Sequence, residues 1–330
     1  MIELTLAPQE ATAIKLSIII VCFNSREVLL PCLESIWKAL PSFPFEVILV
    51  DNGSKDNSVQ EVHRRFQEVI IIQSGSNAGY AGGNNIGFAK ARGKYVLFLN
   101  PDTIIYQGAF DKLVNRADSD PNIGIVGPSV QNADGTLQLS CFRPPDIRES
   151  LSKTFWLYRI PGYMKAYGFP GHYREDQYKG EMDVDVVSGC CLLARKTILD
   201  EVGAFDEEYF IYYEETDLCE RVRRSGYRIV YAPSACIVHL GGATTIKQEI
   251  WFRIQSERSR YRFFSKYRCK SYVLAIRTIQ LINWIIRVTL GSIVVVLSTG
   301  RAKRVAHTVH YTFKLLCWQL GIVKQGERPS

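Results

Sequence analysis

The stretch LSIIIVCFNSREVLLPCLESIWKALPSFPFEVILVDNGS, residues 16–54, decides the architecture. Leu16–Cys22 is an unbroken, β-branched apolar run, the pattern of a strand buried on both faces. After the turn Phe23-Asn24-Ser25, Glu27–Leu40 carries apolar residues at helical spacing. Phe45–Val50 is a second buried strand, and it stops at Asp51-Asn52-Gly53-Ser54, residues that favour turns. A strand, a helix and a strand in this order call for a parallel pair with a right-handed crossover.

Outward from this unit the pattern repeats. Ser58–Phe66 reads as a helix and Glu68–Gln73 as a third strand. A glycine-rich turn from Gly75 to Asn85 opens a helix through Arg92, and Tyr95–Leu99 is a fourth strand ending at Asn100-Pro101-Asp102. The spacing predicts an α/β fold with a doubly wound, mostly parallel central sheet, in which ligands bind beyond the carboxyl ends of the strands. Here those ends carry Asn24, Asp51, Asn77 and Asp102. Farther on, Asn122–Val130 reads as a strand, Val130–Pro145 as turns or a hairpin, and 146–182 as a Tyr-, Gly- and Pro-rich loop over the site. Strand-like Val184–Ala194, helices Lys196–Val202 and Glu215–Ser225, and short strands Tyr227–Ala232 and Cys236–His239 complete this part.

With 330 residues, 47% apolar and 22% charged, the chain has an ordinary globular composition, which excludes collagen-like and wholly disordered classes. The nine cysteines include no CxxC and lie mostly in apolar runs, as expected of buried thiols in a reducing compartment. Residues 1–15 carry Glu3 and Glu10 and have neither a basic nor an apolar segment of a secretory leader, so a cytoplasmic location is expected. The net charge of +7 is unevenly spread: residues 247–330 hold 16 Lys+Arg against 3 Asp+Glu, whereas the rest of the chain holds 24 against 30. A basic region of this kind meets something anionic.

Several groups carry candidate chemistry. Asp51 is either a turn cap or a carboxylate that accepts hydrogen bonds from a nucleotide. Asn77–Gly87, NAGYAGGNNIG, is either a tight structural turn or a loop whose backbone N–H groups cradle an anion. It matches neither GxGxxG after the first strand nor GxxxxGK[ST], so dinucleotide and P-loop readings lack their signatures. Asp102 either caps the next element or binds Mg²⁺ or Mn²⁺ through oxygen. Glu214, Glu215 and Asp217 enter a helix among Phe210, Tyr212 and Tyr213; they either complement the helix dipole or include a carboxylate whose pKa is raised toward that of a general base. His239 by itself is an ordinary structural histidine, and Cys236-x-x-His239 has no second pair with which to bind zinc.

Taken together, VCFNS (21–25), VDNGS (50–54), NAGYAGGNN (77–85), FLNPDT (98–103) and the run from Ser188 to Gly242 resemble the family 2 glycosyltransferases of GT-A fold, and within them the bacterial rhamnosyltransferase-like branch. The resemblance covers about residues 15–245. It implies a GT-A catalytic domain over 1–245, with a nucleotide-binding half at about 15–103 and an acceptor half at about 104–245. It also implies inverting transfer of a sugar from a nucleotide diphosphate-sugar to an acceptor hydroxyl. By the same resemblance, Asp51 contacts the base, with Asn24, Asn77 and Asn84 around the donor, and Asp102 is the metal-binding aspartate of the DxD motif. Asn100 stands where the family has the first aspartate of that motif. Glu215 takes the place of the aspartate that serves as base, with Glu214 beside it. His239 matches a histidine of the metal shell, and Ser188 and Gly189 line the acceptor pocket. The implied cofactor is Mg²⁺ or Mn²⁺. The implied donor is dTDP-rhamnose first and a UDP-sugar second, and the implied acceptor is a glycan or a polyprenyl-linked sugar. The two departures, Asn100 and Glu215, leave open a non-catalytic sugar-nucleotide or glycan-binding protein on the same fold; a nucleotidyltransferase would instead release pyrophosphate.

Residues 246–330 form a basic helical region outside the resemblance. Thr278–Gly300 is long enough to span a bilayer but contains Arg287, Gln280 and Asn283, and a central Arg costs about 3 kcal/mol there. Were 262–287 one helix, Arg262, Lys266, Lys270, Arg277 and Arg287 would share an arc of about 100° interrupted by Trp284. The expectation is a helical region lying on an anionic membrane surface at the inner face of the cell membrane; the competing arrangement is a bundle docked on the catalytic domain. No nucleic-acid module accompanies the charge, and an oligomer is compatible with the sequence.

Overall fold

The computed structural model describes residues 13–241, 249–298 and 302–322. The leader reading of residues 1–15 therefore falls mostly outside the described residues, as do the 245/246 boundary and the end of the Thr278–Gly300 span.

The first half runs β1 (Leu16–Cys22), α1 (Arg26–Lys38), β2 (Phe45–Asp51), α2 (Ser58–Arg65), β3 (Ile70–Gln73), α3 (Gly79–Phe88) and β4 (Tyr95–Leu99). It continues through β5 (Thr103–Ile105), α4 (Ala109–Asp118), β6 (Ile123–Gln131), β7 (Leu137–Gln138) and β8 (Cys141–Phe142). Then come α5 (Ile147–Thr154), α6 (Tyr163–Tyr167), β9 (Met182–Asp183), β10 (Val186–Val187), β11 (Cys191–Arg195) and α7 (Lys196–Val202). The last elements are α8 (Glu214–Arg224), β12 (Arg228–His239), α9 (Glu249–Tyr267), α10 (Lys270–Leu297) and α11 (Lys303–Gln319).

The central sheet has the order β3-β2-β1-β4-β11-β6-β12-β5. Strands β3, β2, β1 and β4 are parallel, as are β6 and β12, while β11 is inserted antiparallel between β4 and β6. Both sheet faces are covered, so strand residues alternate between two cores. Ile18, Ile20 and Leu97 pack with Leu29 of α1 and Phe110 of α4. Ile19, Ile48 and Phe98 pack with Ala81 of α3, Leu199 of α7 and Leu218 of α8. This two-sided burial is why the strands read as continuous apolar runs. Register pairs Cys22 with Asp51 and Ile20 with Leu99, which brings Asn24, Asp51 and Asn100 to one edge.

The structure departs from the sequence expectations at several places. The glycine-rich run is mostly helix: Gly79, Gly83 and Gly87 recur every four residues, Gly79 against Phe210 and the other two against the sheet. A Cβ at Gly83 would stand 2.7 Å from Val21, and one at Gly87 would stand 2.5 Å from Ile19, so these glycines let α3 lie close against β1. Residues 146–182 hold α5 and α6 rather than only loop. Val184–Ala194 is broken at Ser188-Gly189-Cys190, and the two short strands after α8 are one strand with a register shift between Ala232 and Cys236.

The C-terminal helices pack on the body. The chain breaks between α9 and α10, so 262–287 is not one helix and the five cations do not form a stripe. Arg262 pairs with Asp206 and Glu208, and Lys266 with Asp206 and Asp217, which docks α9 on the α/β body. Helix α10 buries a mixed face that includes Ile276 and Trp284 as well as two amides. Its buried residues include Gln280 and Asn283, while Leu274, Ile282, Ile285, Ile293 and Val296 are exposed.

Candidate active site

The site is assembled where β1, β2 and β4 end. Asp51 is buried, and its Oδ1 accepts the Ser54 N–H at 3.0 Å. Asn24, in a left-handed conformation at φ +49°, accepts the Lys55 N–H at 2.8 Å and so laces the loop after β1 to the loop after β2. Asn77 accepts the Gly79 N–H at 3.0 Å at the start of α3. Asn84 is buried one helical turn farther on, and its amide donates to the Tyr80 carbonyl at 2.9 Å. Asn52, which sequence reasoning passed over as a turn residue, donates to the Gly79 carbonyl at 2.9 Å; its own Oδ1 is buried without a partner among the described residues. A buried, unanswered acceptor beside Asp51 is a position at which a ligand donor would be accepted.

Antiparallel pairing of β12 with β5 sets His239 opposite Thr103 and thereby over Asp102. His239 Nε2 stands 3.3 Å from Asp102 Oδ1 and 3.4 Å from Asn100 Nδ2, while Nδ1 lies 2.8 Å from Gln138 Oε1. If Nδ1–H donates to Gln138, as the short contact favours, Nε2 presents a lone pair toward the Asp102 carboxylate. Two acceptors facing each other fit a cation between them. One carboxylate and one imidazole suit Mn²⁺ or Mg²⁺, which fill their remaining positions with water and substrate phosphate. Among the described residues no cluster of three or more His, Cys, Asp or Glu could form a complete protein cage.

The acidic run enters from the opposite side. Tyr212 and Tyr213 both adopt left-handed backbone, at φ +68° and +69°, which is uncommon for aromatic residues and delivers Glu214 and Glu215 as the first residues of α8. The three acids have different environments. Asp217 is fully buried and answered by Arg221 Nε at 2.8 Å, Lys266 Nζ at 2.7 Å and Tyr267 OH at 2.8 Å. Glu214 is buried with Oε2 lacking a partner among the described residues; burial, with the Glu215 charge added, raises its pKa well above the usual carboxylate range. Glu215 is half-buried and is also raised by burial. Asp217 is thus structural, while the other two carboxyls retain chemistry.

Two contacts join this loop to the strand ends. The Phe210 carbonyl accepts the Tyr80 N–H at 2.8 Å, and Gly79, at φ +77°, leaves no room there for a Cβ. Tyr80 OH donates to the Gly189 carbonyl at 2.6 Å, and a Cβ at Gly189 would lie 3.6 Å from Glu215 Cβ. Ser188 Oγ accepts the Cys190 N–H at 3.3 Å, and the Cys190 thiol, pushed up to about 12 chiefly by burial, also feels the charges of Asp102 and Glu215. The break in the strand at 188–190 adjoins both sides of the site: its Cys190 carbonyl accepts the Asn100 N–H at 2.9 Å, and Gly189 faces Glu215. Tyr80 and Cys190 are site residues that sequence reasoning missed; Tyr80 sits inside the quoted NAGYAGGNN motif, so its position was visible although its role was not.

Residues 17–203 match the family described as Glycosyl transferase family 2, and the chain belongs to that family. It is a glycosyltransferase. Over 238 residues it is 29% identical to the N-acetylglucosaminyl-diphospho-decaprenol L-rhamnosyltransferase of Mycobacterium tuberculosis, covering 67% of this chain and 75% of that one. It is 30% identical over 218 residues to the low-salt glycan biosynthesis hexosyltransferase Agl10 of Haloferax volcanii, covering 65% and 63% of the two chains. In fold it is similar to the mannosyltransferase PcManGT of Pyrobaculum calidifontis, solved with GDP-Man and Mn²⁺, with a TM-score of 0.57 at 16% identity over 98% of this chain and 91% of that one. The expected α/β architecture of GT-A type, with a C-terminal helical region, is the one observed.

A buried carboxyl with a raised pKa holds its proton in the folded state at pH values where the unfolded chain has lost it, so it removes stability as pH rises. Glu214→Gln abolishes that loss. The melting temperature of the variant relative to the parent is therefore expected to improve as pH rises above the ordinary glutamate range. A difference that stays constant over that rise would contradict the assignment of Glu214 as a desolvated carboxyl.

Proposed function

We propose that the enzyme moves a sugar, with inversion, from a nucleotide diphosphate-sugar to a hydroxyl of a lipid-linked or cell-surface glycan. The donor is dTDP-rhamnose, with a UDP-sugar as the second choice. The reading is carried by one juxtaposition: the Ser188–Cys190 break meets Asn100, two residues before Asp102, on one side and Glu215 on the other. The rhamnosyltransferase name of the mycobacterial relative supports the sugar and the lipid-linked acceptor.

Inversion is a single in-line displacement, in which the acceptor oxygen forms its bond to the anomeric carbon as the bond to the diphosphate oxygen breaks. Glu215 takes the acceptor proton, and burial supports this by lifting its basicity toward the working pH. Glu214 stays behind it as a desolvated neighbour. Asp51 and Asn52 face the nucleoside, and Asn24, Asn77 and Asn84 hold the surrounding loops and helix in place. Asp102 and His239, with Asn100 beside them, would hold Mg²⁺ or Mn²⁺. Bound there, the ion would neutralise charge on the leaving diphosphate.

The enzyme acts at the inner face of the cell membrane as a peripheral protein. Helix α10 has 28 residues and is long and apolar enough to cross a membrane, yet it buries polar groups and exposes aliphatic ones. An exposed aliphatic face opposite a mixed face packed on the protein fits a helix seated in the lipid interface. Anionic phospholipid vesicles are expected to co-sediment the protein, and Ile285→Glu with Ile293→Glu should abolish this; undiminished binding by the double variant would exclude α10 as the contact.

Glu215→Gln is expected to lower transfer by about 10²-fold or more while nucleotide binding stays near that of the parent chain. Full turnover in this variant would remove Glu215 as the base, and equal loss of nucleotide binding would show that it acts only on the fold.

A further inference from the structure

A cavity of about 500 Å³ lies between α5, α9, α10 and α11, apart from the strand-end site. Its walls include Lys153, Tyr213, Arg260, Trp284, Arg287 and His307. The inward polar side of α10 forms one wall, so the same helix that exposes aliphatic side chains outward supplies Gln280, Asn283 and Arg287 to the interior.

Each acid of the lining has a cation on its own helix, although Glu257 Oε2 makes no hydrogen bond among the described residues. Glu149 pairs with Lys153 at 2.6 Å, and Glu257 pairs with Arg260 at 3.6 Å. Arg287 is different. It donates to Asn283 Oδ1 at 2.8 Å and to the Lys153 carbonyl at 3.4 Å, and it lies 5.2 Å from the centre of the Trp156 ring. Its described partners are thus neutral, and an arginine so placed retains both its charge and its fork geometry for an oxyanion. Tyr213, on another wall, is the residue directly before Glu214 and Glu215, so the cavity adjoins the loop that carries the base.

We infer that this cavity takes the phosphate linkage of a lipid-linked acceptor: the phosphate oxygens meet Arg287 and the lipid leaves along the outer face of α10. The glycan lies toward Tyr213 and Glu215. This inference rests on the acceptor class proposed above and adds its site. It also explains why a helix with an aliphatic exterior keeps an arginine near its middle.

The test uses the full chain with farnesyl diphosphate, inorganic pyrophosphate and farnesol, in EDTA so that metal-assisted binding at Asp102 is suppressed. Melting shifts give apparent affinities, since a ligand at about 100 times its Kd adds about 2.7 kcal/mol. Farnesyl diphosphate is expected to bind the parent chain and to weaken by about tenfold or more in Arg287→Gln, with Arg287→Lys, which keeps the charge but loses the fork, falling between the two. His307→Gln, on the facing helix, is expected to weaken it as well, and provides the test should Arg287→Gln fail to fold. No binding to the parent chain, binding unchanged in both Gln variants, or farnesol binding as tightly as its diphosphate would overturn the inference. Pyrophosphate binding as tightly as farnesyl diphosphate, and equally dependent on Arg287, would overturn the lipid-linked assignment in favour of a free anion. These outcomes are independent of the transfer lost in Glu215→Gln, so failure here leaves the transferase reading standing.

Discussion

The loop from Asp206 to Asp217 must hold two consecutive tyrosines in a left-handed backbone, and the placement of Glu214 and Glu215 depends on that constraint. Each such residue costs about 1–3 kcal/mol and persists only where its surroundings over-determine it. Here the surroundings come from both ends of the molecule. Tyr80 N–H answers the Phe210 carbonyl, and Ser259 of α9 donates to the Ile211 carbonyl at 3.0 Å. Lys266 bridges Asp206 at 2.9 Å and Asp217 at 2.7 Å, and Tyr267 and Arg221 complete the set around Asp217. The helical region is therefore a structural support of the loop that carries Glu214 and Glu215 rather than an appendage.

This arrangement revises the meaning of the charge split. An acidic body and a basic C-terminal region imply an anionic partner only if the two do not meet each other. Arg262 and Lys266 spend their charge on Asp206, Glu208 and Asp217 within the chain. Arg287 does not, because it faces neutral groups inside a cavity. Charge counting could not separate these cases, since the separation depends on where α9 ends and how α10 is rotated about its axis.

The first hundred residues were legible because their strands are buried on both faces and their turns are marked by Asn, Asp and Gly. Asp51, Asn100 and Asp102 fall at aligned strand ends for the same reason. The glycines of 79–87 misled the reading of the loop: their spacing of four is a helix-packing signal, and the composition alone also fits a phosphate-cradling turn. The insertion of β11 between β4 and β6 could not be read from local pattern, because an antiparallel strand at the centre of a sheet is as apolar as a parallel one. Nor could the sequence tell Asp217 from Glu214 and Glu215. All three open one helix, and only the tertiary partners Lys266 and Tyr267 make the first structural.

The central claim is that Asp51 and Asp102 with His239 form one donor site that takes a nucleoside diphosphate together with a divalent ion. The most direct measurement is the melting temperature of the purified chain with dTDP and with UDP, each with and without Mn²⁺. The account predicts a shift that needs Mn²⁺, favours one nucleotide and disappears in Asp102→Asn. No shift with either nucleotide, or the same shift in Asp102→Asn as in the parent chain, would contradict it.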